Sequence, residues 1–230
     1  MFKVKDMKEE SKKWKQSNMH YTIIPGILEH EALGIEKKIA LVKDLTTTIH
    51  IDVIDGKFAD NTTVLDPTIF KPYAQKYFLE VHLMVEDPEK YVESFALNGF
   101  KKFIGHVEKM PDIASFVAKA EQYGQVGLAL DTPTPVTALT DVSFEDLDFL
   151  FVMTVKAGHS NQEFMPEMLE KVRSLRSQTP FLPIEVDGGI NSETLPQAKE
   201  AGATDFVVTH ALFTASDVNK AYQDLQALLQ

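Results

Sequence analysis

Three short segments place histidine or carboxylate side chains at alternate positions of an otherwise apolar run. They read Ile49-His50-Ile51-Asp52-Val53, Glu80-Val81-His82-Leu83-Met84 and Ile184-Glu185-Val186-Asp187. Residues two apart lie on the same face of a β-strand, so each segment predicts a strand with one polar and one apolar face. Imidazole and carboxylate groups gathered in one place can bind a divalent cation and can transfer protons.

The composition narrows the ligand chemistry of such a cluster. The chain contains no cysteine, which excludes disulfides, thiolate catalysis and thiolate metal sites. Two ring nitrogens with two carboxylates suit Zn²⁺, Mn²⁺ or Fe²⁺, whereas calcium and magnesium prefer oxygen ligands. We expect one divalent metal, Zn²⁺ in the first place and Fe²⁺, Mn²⁺ or Co²⁺ as alternatives, held by His50, Asp52, His82 and Asp187.

The alternative for each polar side chain is an ion pair or hydrogen bond that fills the interior of the fold. Glu80 and Glu185 lie deeper in their strands, and we assign them to such a network. His106 follows one strand further along, and we expect it in the wall of the site or behind a metal ligand.

The elements that position these residues are strands alternating with helices from Tyr21 onward, which is typical of repeated βα units. Strands are predicted at Tyr21–Ile24, Thr48–Val53, Leu79–Met84, Lys102–Val107, Val126–Leu130, Phe149–Val155, Pro183–Val186 and Asp205–Val208. Amphipathic helices are predicted from Pro166 to about Ser177 and from starts near Pro88, Asp112, Ser192 and Asp217. The segment Asp66–Tyr77 is also interpreted as helical, although it contains two prolines.

Eight such units close most simply into one α/β domain, a (β/α)₈ TIM barrel over residues 21–230, preceded by a polar N-terminal extension at residues 1–20. An open, doubly wound sheet is the alternative. It would place a glycine-rich nucleotide fingerprint after the first strand, and Pro25-Gly26-Ile27-Leu28 is not one. In a barrel the polar faces point inward, near the carboxyl ends of strands where barrel enzymes place their chemistry.

Charge and hydropathy argue against two classes of partner. The formal net charge is −11 and the chain has two arginines, Arg173 and Arg176, which argues against a nucleic-acid-binding protein. No apolar run reaches the roughly 18 residues that a membrane span needs. The N-terminal stretch lacks the apolar core of a secretory signal, so we expect a cytoplasmic protein. Whether it forms a homo-oligomer is left open.

Several of these segments resemble the ribulose-phosphate 3-epimerase family. The similarity is carried by His50-Ile51-Asp52-Val53-Ile54-Asp55-Gly56, Val81-His82-Leu83-Met84 and Glu185-Val186-Asp187-Gly188-Gly189-Ile190. Supporting matches are Pro25-Gly26-Ile27-Leu28, His106-Val107-Glu108, Thr134-Pro135 and Met153-Thr154-Val155. Their order and spacing extend from about residue 21 to residue 214.

The resemblance implies a metal-dependent ketose-phosphate 3-epimerase that interconverts ribulose 5-phosphate and xylulose 5-phosphate, with Asp52 and Asp187 as the acid/base pair. Its partner would be a small phosphorylated ketose. The positions expected to contact the substrate or its phosphate are Gly26, Met84, His106, Met153, Gly158, His159, Ser160, Gly188, Gly189, Thr209 and His210.

The chain departs from the family pattern mainly at the phosphate end. Gly26 replaces a serine, Ile54 replaces a methionine, Gly158-His159-Ser160-Asn161-Gln162 replaces Gly-Phe-Gly-Gly-Gln, and Thr209-His210 replaces Gly-Ser. Lys156, His159 or His210 would then supply charge where glycine N–H groups bind phosphate in the family.

Three other functions follow from these departures and from the fold. One is an epimerase of another ketose or ketose phosphate, such as allulose 6-phosphate. A second is a catalytically silent metabolite-binding barrel. The related decarboxylase and hexulose-phosphate synthase branch is disfavoured, because the order of Asp52, Asp55 and Lys57 does not match its Asp-x-Lys-x-x-Asp pattern.

Overall fold

Eight parallel strands form a closed barrel in the computed structural model, which describes residues 19–230. The strands are β1 (Thr22–Ile27), β2 (Thr48–Ile54), β3 (Phe78–Met84), β4 (Phe100–His106), β5 (Gln125–Leu130), β6 (Phe149–Met153), β7 (Ile184–Asp187) and β8 (Asp205–Val208). Each strand pairs with its neighbours in chain order, and β8 closes on β1. The predicted (β/α)₈ barrel is confirmed, and the open sheet is wrong.

Helices on the outside of the barrel connect five of the seven successive pairs of strands, while β2–β3 and β5–β6 are joined by 3₁₀ turns and loops. The α-helices are α1 (Ala32–Leu41), α2 (Glu89–Leu97), α3 (Ile113–Glu121), α4 (Leu169–Gln178), α5 (Thr194–Ala201), α6 (His210–Phe213) and α7 (Val218–Ala227). The predicted starts near Asp112 and Asp217 are helix caps, because each carboxylate accepts a hydrogen bond at 3.0 Å from the backbone N–H three residues ahead. A 3₁₀ turn at Pro166–Met168 precedes α4.

The helix predicted over Asp66–Tyr77 is wrong. A 3₁₀ turn at Pro67–Phe70 is followed by turns up to β3. Asp66 caps this turn by accepting from the Thr68 N–H at 2.9 Å, which suits Pro67 in the first helical position. Pro72 then lacks the N–H that a longer helix would need. The predicted extension at residues 1–20 lies almost entirely outside the described residues.

The side chains on the two faces of each barrel strand pack into two different apolar clusters. Ile51, Val53, Val81 and Leu83 are buried in the main apolar cluster, which includes helix residues such as Phe95. The opposite faces fill the barrel interior, where a smaller apolar cluster includes Ile54, Met84, Ile104, Phe151, Met153 and Val207. The polar side chains predicted to face inward lie in this interior.

Candidate active site

The four predicted metal ligands converge inside the barrel. Asp52 lies opposite His82 in the register of β2 and β3, and Asp187 ends β7. His82 Nδ1 lies 2.9 Å from Asp52 Oδ1 and 3.7 Å from Asp187 Oδ2, and His50 Nε2 lies 3.3 Å from Asp52 Oδ1. One donor atom from each of the four buried residues falls within 4.8 Å of all the others. This donor set fits a single divalent cation.

The two carboxyl groups of this cluster favour different protonation states. Burial opposes the ionisation of Asp52, but His50 and His82 outweigh it and hold the pKa of Asp52 below its ordinary value. Burial and the charge of Asp52 raise the pKa of Asp187 to about 8. Without a cation, therefore, one group is a carboxylate at neutral pH while the other keeps a proton, which is the division that acid/base chemistry needs.

An ion-pair network lies beneath the cluster, as expected for Glu80 and Glu185. Lys102 Nζ lies 2.9 Å from Glu80 Oε2, donates to Glu185 Oε2, and sits 4.2 Å from the centre of the Phe149 ring. Glu80 Oε1 accepts from His50 Nδ1 at 2.7 Å. Because His50 Nδ1 donates to Glu80, Nε2 is the nitrogen that points into the cluster. It would offer its lone pair to a bound cation, as in the carboxylate–histidine pairs that orient metal ligands.

His106 lies behind a ligand rather than in the open cavity. Its Nε2 is 2.8 Å from His82 Nε2, its Nδ1 is 3.0 Å from Glu108 Oε2, and Phe58 packs on its ring at 4.5 Å between centroids. Burial lowers the pKa of His82 to about 3, so this ring is neutral, the form that binds metals. Burial opposes the ionisation of Glu108, but the hydrogen bond with His106 outweighs it and lowers the pKa of Glu108 to about 2.

A cavity of about 510 Å³ extends from Asp52 and Asp187 to the start of α5. Nine of the predicted substrate positions line it: Met84, Met153, Gly158, His159, Ser160, Gly188, Gly189, Thr209 and His210. Gly26 and His106 are not among its lining residues, and the exposed Lys156 is not either. Among the described residues, the basic side chains that line this end of the cavity are His159 and His210.

The glycines after β7 are required by their surroundings. Gly188 and Gly189 have φ angles of 115° and 66°, a region that favours glycine. A Cβ on Gly188 would lie 2.8 Å from the Val155 backbone nitrogen, and one on Gly189 would lie 2.9 Å from Phe164 Cα. These residues bring bare backbone close to the cavity.

Gly26 also has a steric explanation. A Cβ at this position would lie 2.5 Å from Thr209 Oγ1 and 2.6 Å from Val207 Cγ1. The serine that the family pattern places here therefore has no room beside Thr209. Gly26 and Thr209 therefore fit together sterically, where β1 contacts the end of β8.

Several residues of the site were missed by the sequence analysis. Glu108 and Lys102 carried a signal, because the first follows His106 at a spacing of two and the second shares a strand face with it. Asn61, Asn191 and Thr194 carried none. Asn61 Nδ2 donates to Gly158 O at 2.7 Å, and the other two line the cavity at the start of α5.

The fold and this site together define a class, a metal-dependent barrel enzyme with its chemistry at the carboxyl ends of the strands. Comparison with known protein families identifies the family within this class. The model of the family described as "Ribulose-phosphate 3 epimerase family" matches residues 22–213. The chain belongs to the ribulose-phosphate 3-epimerase family, as the resemblance implied.

The sequence of the chain aligns with those of named relatives over most of their length. The chain is 35% identical over 211 residues to "Ribulose-phosphate 3-epimerase" of Schizosaccharomyces pombe, covering 89% of this chain and 92% of that protein. It is 35% identical over 214 residues to the protein of the same name from Bacillus subtilis, covering 89% of this chain and 97% of the relative.

Solved structures at lower identity confirm the fold alone. A 3-hexulose-6-phosphate synthase aligns with a TM-score of 0.67 at 16% identity over 90% of this chain and 99% of that chain. The structure of KGPDC from Streptococcus mutans aligns with a TM-score of 0.67 at 12% identity over 92% of this chain and 98% of that chain. Among residues 19–230, no helix has the length and apolar character needed to cross a membrane.

Proposed function

We propose that this chain is a metal-dependent 3-epimerase that interconverts ribulose 5-phosphate and xylulose 5-phosphate. The observation that carries the proposal is the pair Asp52 and Asp187, which share one cluster with two histidines at the end of a cavity. Membership of the family supports the same reaction.

The chemistry explains the need for two carboxyl groups. Inverting a carbon next to a ketone requires removal of its proton on one face and delivery of a proton on the other. Asp52 would accept the proton in one direction of the reaction, while Asp187 would deliver one on the opposite face. In the reverse direction the two residues exchange roles.

His50, Asp52, His82 and Asp187 would hold the cation, with Zn²⁺ as the first candidate and Fe²⁺, Mn²⁺ or Co²⁺ as alternatives. When bound, it supplies Lewis-acid stabilisation of the negative charge that develops on the substrate oxygens in the enediolate. Glu80 keeps His50 turned toward the cluster through the 2.7 Å hydrogen bond to Nδ1. Lys102 compensates the buried charge of Glu80 and Glu185 below it.

The far end of the cavity is assigned to the phosphate. Ser160, Gly188, Gly189 and Thr209 line it together with the exposed His159 and His210. Backbone N–H groups near glycine bind phosphate well, and the imidazoles add charge when protonated. Positive charge is needed here because the whole chain carries −11.

Solvent-deuterium incorporation tests this function. The Zn²⁺-loaded protein is incubated in D₂O with ribulose 5-phosphate, allulose 6-phosphate and unphosphorylated ribulose, and we expect exchange at C3 of ribulose 5-phosphate. Exchange with allulose 6-phosphate or ribulose alone would reassign the substrate. No exchange with any of the three would contradict the enzyme function and favour the metabolite-binding barrel.

Asp52→Asn and Asp187→Asn test the acid/base assignment. Each variant should lose at least about 100-fold in C3 exchange, because the amide cannot replace the carboxyl group in proton transfer. Metal content is measured in parallel, since both residues are also proposed ligands. Asp44→Asn, which changes an exposed carboxylate, should keep wild-type exchange. Full exchange in both site variants would overturn the assignment.

A further inference from the structure

A buried chain of hydrogen bonds leads away from the metal cluster through two imidazoles to one carboxylate. His82 Nε2 lies 2.8 Å from His106 Nε2, and His106 Nδ1 lies 3.0 Å from Glu108 Oε2. Both imidazoles are fully buried. Phe58 and His82 pack on the His106 ring with centroid distances of 4.5 and 5.0 Å.

Glu108 at one end of the chain and a cation at His82 Nδ1 at the other would together fix the direction of these hydrogen bonds. A carboxylate accepts only, so His106 must donate to Glu108 from Nδ1. A neutral His106 then has a lone pair on Nε2, which can accept a proton from His82 Nε2. His82 Nδ1 faces Asp52 and Asp187. Without a cation it donates to the Asp52 carboxylate at 2.9 Å, whereas a cation bound at Nδ1 would leave the His82 proton on Nε2 and complete the chain of donors to Glu108.

We propose that Glu108 is a positioning residue which, acting through His106, holds His82 in the tautomer that binds the metal through Nδ1. The inference rests on the metal site proposed above and deepens it. The ring of His50 is oriented in the same way but directly, because Glu80 accepts a hydrogen bond from its Nδ1 at 2.7 Å. Within residues 19–230 the partner of His82 at Nε2 is His106 rather than a carboxylate, so the constraint reaches His82 through a second ring.

A hydrogen bond to the other carboxylate oxygen of Glu108 makes the inference testable with one substitution. The Asp131 backbone N–H donates to Glu108 Oε1 at 2.8 Å. In Glu108→Gln the side-chain amide keeps its oxygen on that N–H and turns its NH₂ group toward His106 Nδ1. His106 then accepts at Nδ1 and donates from Nε2, so His82 accepts at Nε2 and keeps its proton on Nδ1, where the metal should bind.

The experiment measures Zn²⁺ affinity by competition with a chelator. Glu108→Gln should weaken binding by about 10- to 100-fold, the range for lost partners of metal ligands. In the Zn²⁺-loaded wild type, ¹⁵N resonances of the imidazoles should show the His82 proton on Nε2 and the His106 proton on Nδ1. In metal-free Glu108→Gln the His82 proton should lie on Nδ1 and the His106 proton on Nε2. Glu93→Gln, which removes an exposed carboxylate charge, is the matched control and should bind Zn²⁺ like the wild type.

The same substitution made in a His106→Gln protein separates control of the His82 tautomer from general damage to the fold. The amide of His106→Gln can rotate to present either its oxygen or its NH₂ group to His82. In that background, adding Glu108→Gln should therefore change Zn²⁺ affinity by no more than about twofold. A full 10- to 100-fold loss in that background would overturn the relay.

The outcomes distinguish the two proposals. Wild-type protein that fails to bind Zn²⁺ would overturn the metal site and this inference with it. Wild-type protein that binds Zn²⁺ while Glu108→Gln binds equally well would overturn the inference alone. A Zn²⁺-loaded wild type in which His106 carries its proton on Nε2 rather than on Nδ1 would do the same.

Discussion

Lys102 is a buried cation at the centre of the barrel interior, and its partners explain why it is tolerated there. It is 8% exposed and contacts the carboxylates of Glu80 and Glu185, both fully buried. A buried charge without a partner is costly, so each member of this group depends on the others.

Lys102→Met should lower the free energy of unfolding by about 3 to 5 kcal/mol, because two buried carboxylates lose their cation. Urea unfolding of the metal-free protein at neutral pH measures this. Lys119→Met is the matched control, since it removes a half-exposed lysine that contacts Glu93 at 3.2 Å, and it should cost at most about 0.5 kcal/mol. Equal effects of the two substitutions would show that the interior network does not stabilise the barrel.

Gly26 gives a second prediction at the residue scale. Gly26→Ala should destabilise the protein by about 1 to 3 kcal/mol, since the new Cβ would overlap Thr209 Oγ1 and Val207 Cγ1. Adding Thr209→Ala removes the closer contact and should recover part of the loss in thermal unfolding. Gly34→Ala would meet the end of the flexible Glu29 side chain, so it should be neutral or stabilising in α1. A Gly26→Ala variant as stable as wild type would contradict the steric explanation.

At the scale of elements, Asp55 joins the loop after β2 to the loop after β3. Its Oδ1 accepts from the Lys57 and Phe58 N–H groups at 2.9 and 3.0 Å, and its Oδ2 accepts from the Glu86 N–H at 2.8 Å. Burial opposes the ionisation of Asp55, but these three donors outweigh it and keep its pKa below the ordinary value. The ionised side chain therefore organises this rim of the active site.

Asp55→Asn should lower the free energy of unfolding by about 1 kcal/mol at neutral pH, a value reduced by partial exposure. Because the pKa of Asp55 is lowered on folding, its contribution is complete above pH of about 4 and is lost as the pH falls through the folded-state pKa. Urea unfolding at pH 7, 5 and 3 should show the variant approaching the wild type toward acid. A difference that stays constant over this range would contradict the assignment.

The sequence predicts elements best where a simple period governs them. The period of two in β2, β3 and β7 predicted which side chains share a face, and barrel closure then brought His50, Asp52, His82 and Asp187 together. No period governs loops or contacts between distant strands. The proximity of Gly26 to Thr209 and the hydrogen bond from Asn61 to Gly158 therefore could not be predicted. The prediction of a helix over Asp66–Tyr77 was wrong because the two prolines disfavour a helix more than the apolar pattern of the segment favours one.

For the whole molecule, the proposed ligands come from three strands, so metal binding is coupled to barrel stability. A ligand that binds only the folded state stabilises it by about 2.7 kcal/mol at 100 times Kd. For a domain of this size that corresponds to a rise in Tm of roughly 5 to 10 °C.

Zn²⁺ should produce this rise in calorimetric scans of the wild type, and His82→Ala should lose most of it. His20→Ala, which removes an exposed histidine near the start of β1, should keep the full rise. An equal rise in His82→Ala would remove His82 from the ligand set.

The hydrogen bond from Asn61 Nδ2 to Gly158 O ties the segment after β2 to the loop after β6 beside the cavity. Phe58 and Ala59 pack on the barrel interior from the same segment. If this contact must open to admit the ketose and again to release the epimer, then substrate entry and product release, rather than proton transfer, limit kcat. Deuterium at C3 would then slow the wild type little, and a larger kinetic isotope effect in Asn61→Ala would report how far that entrance sets the speed of the enzyme.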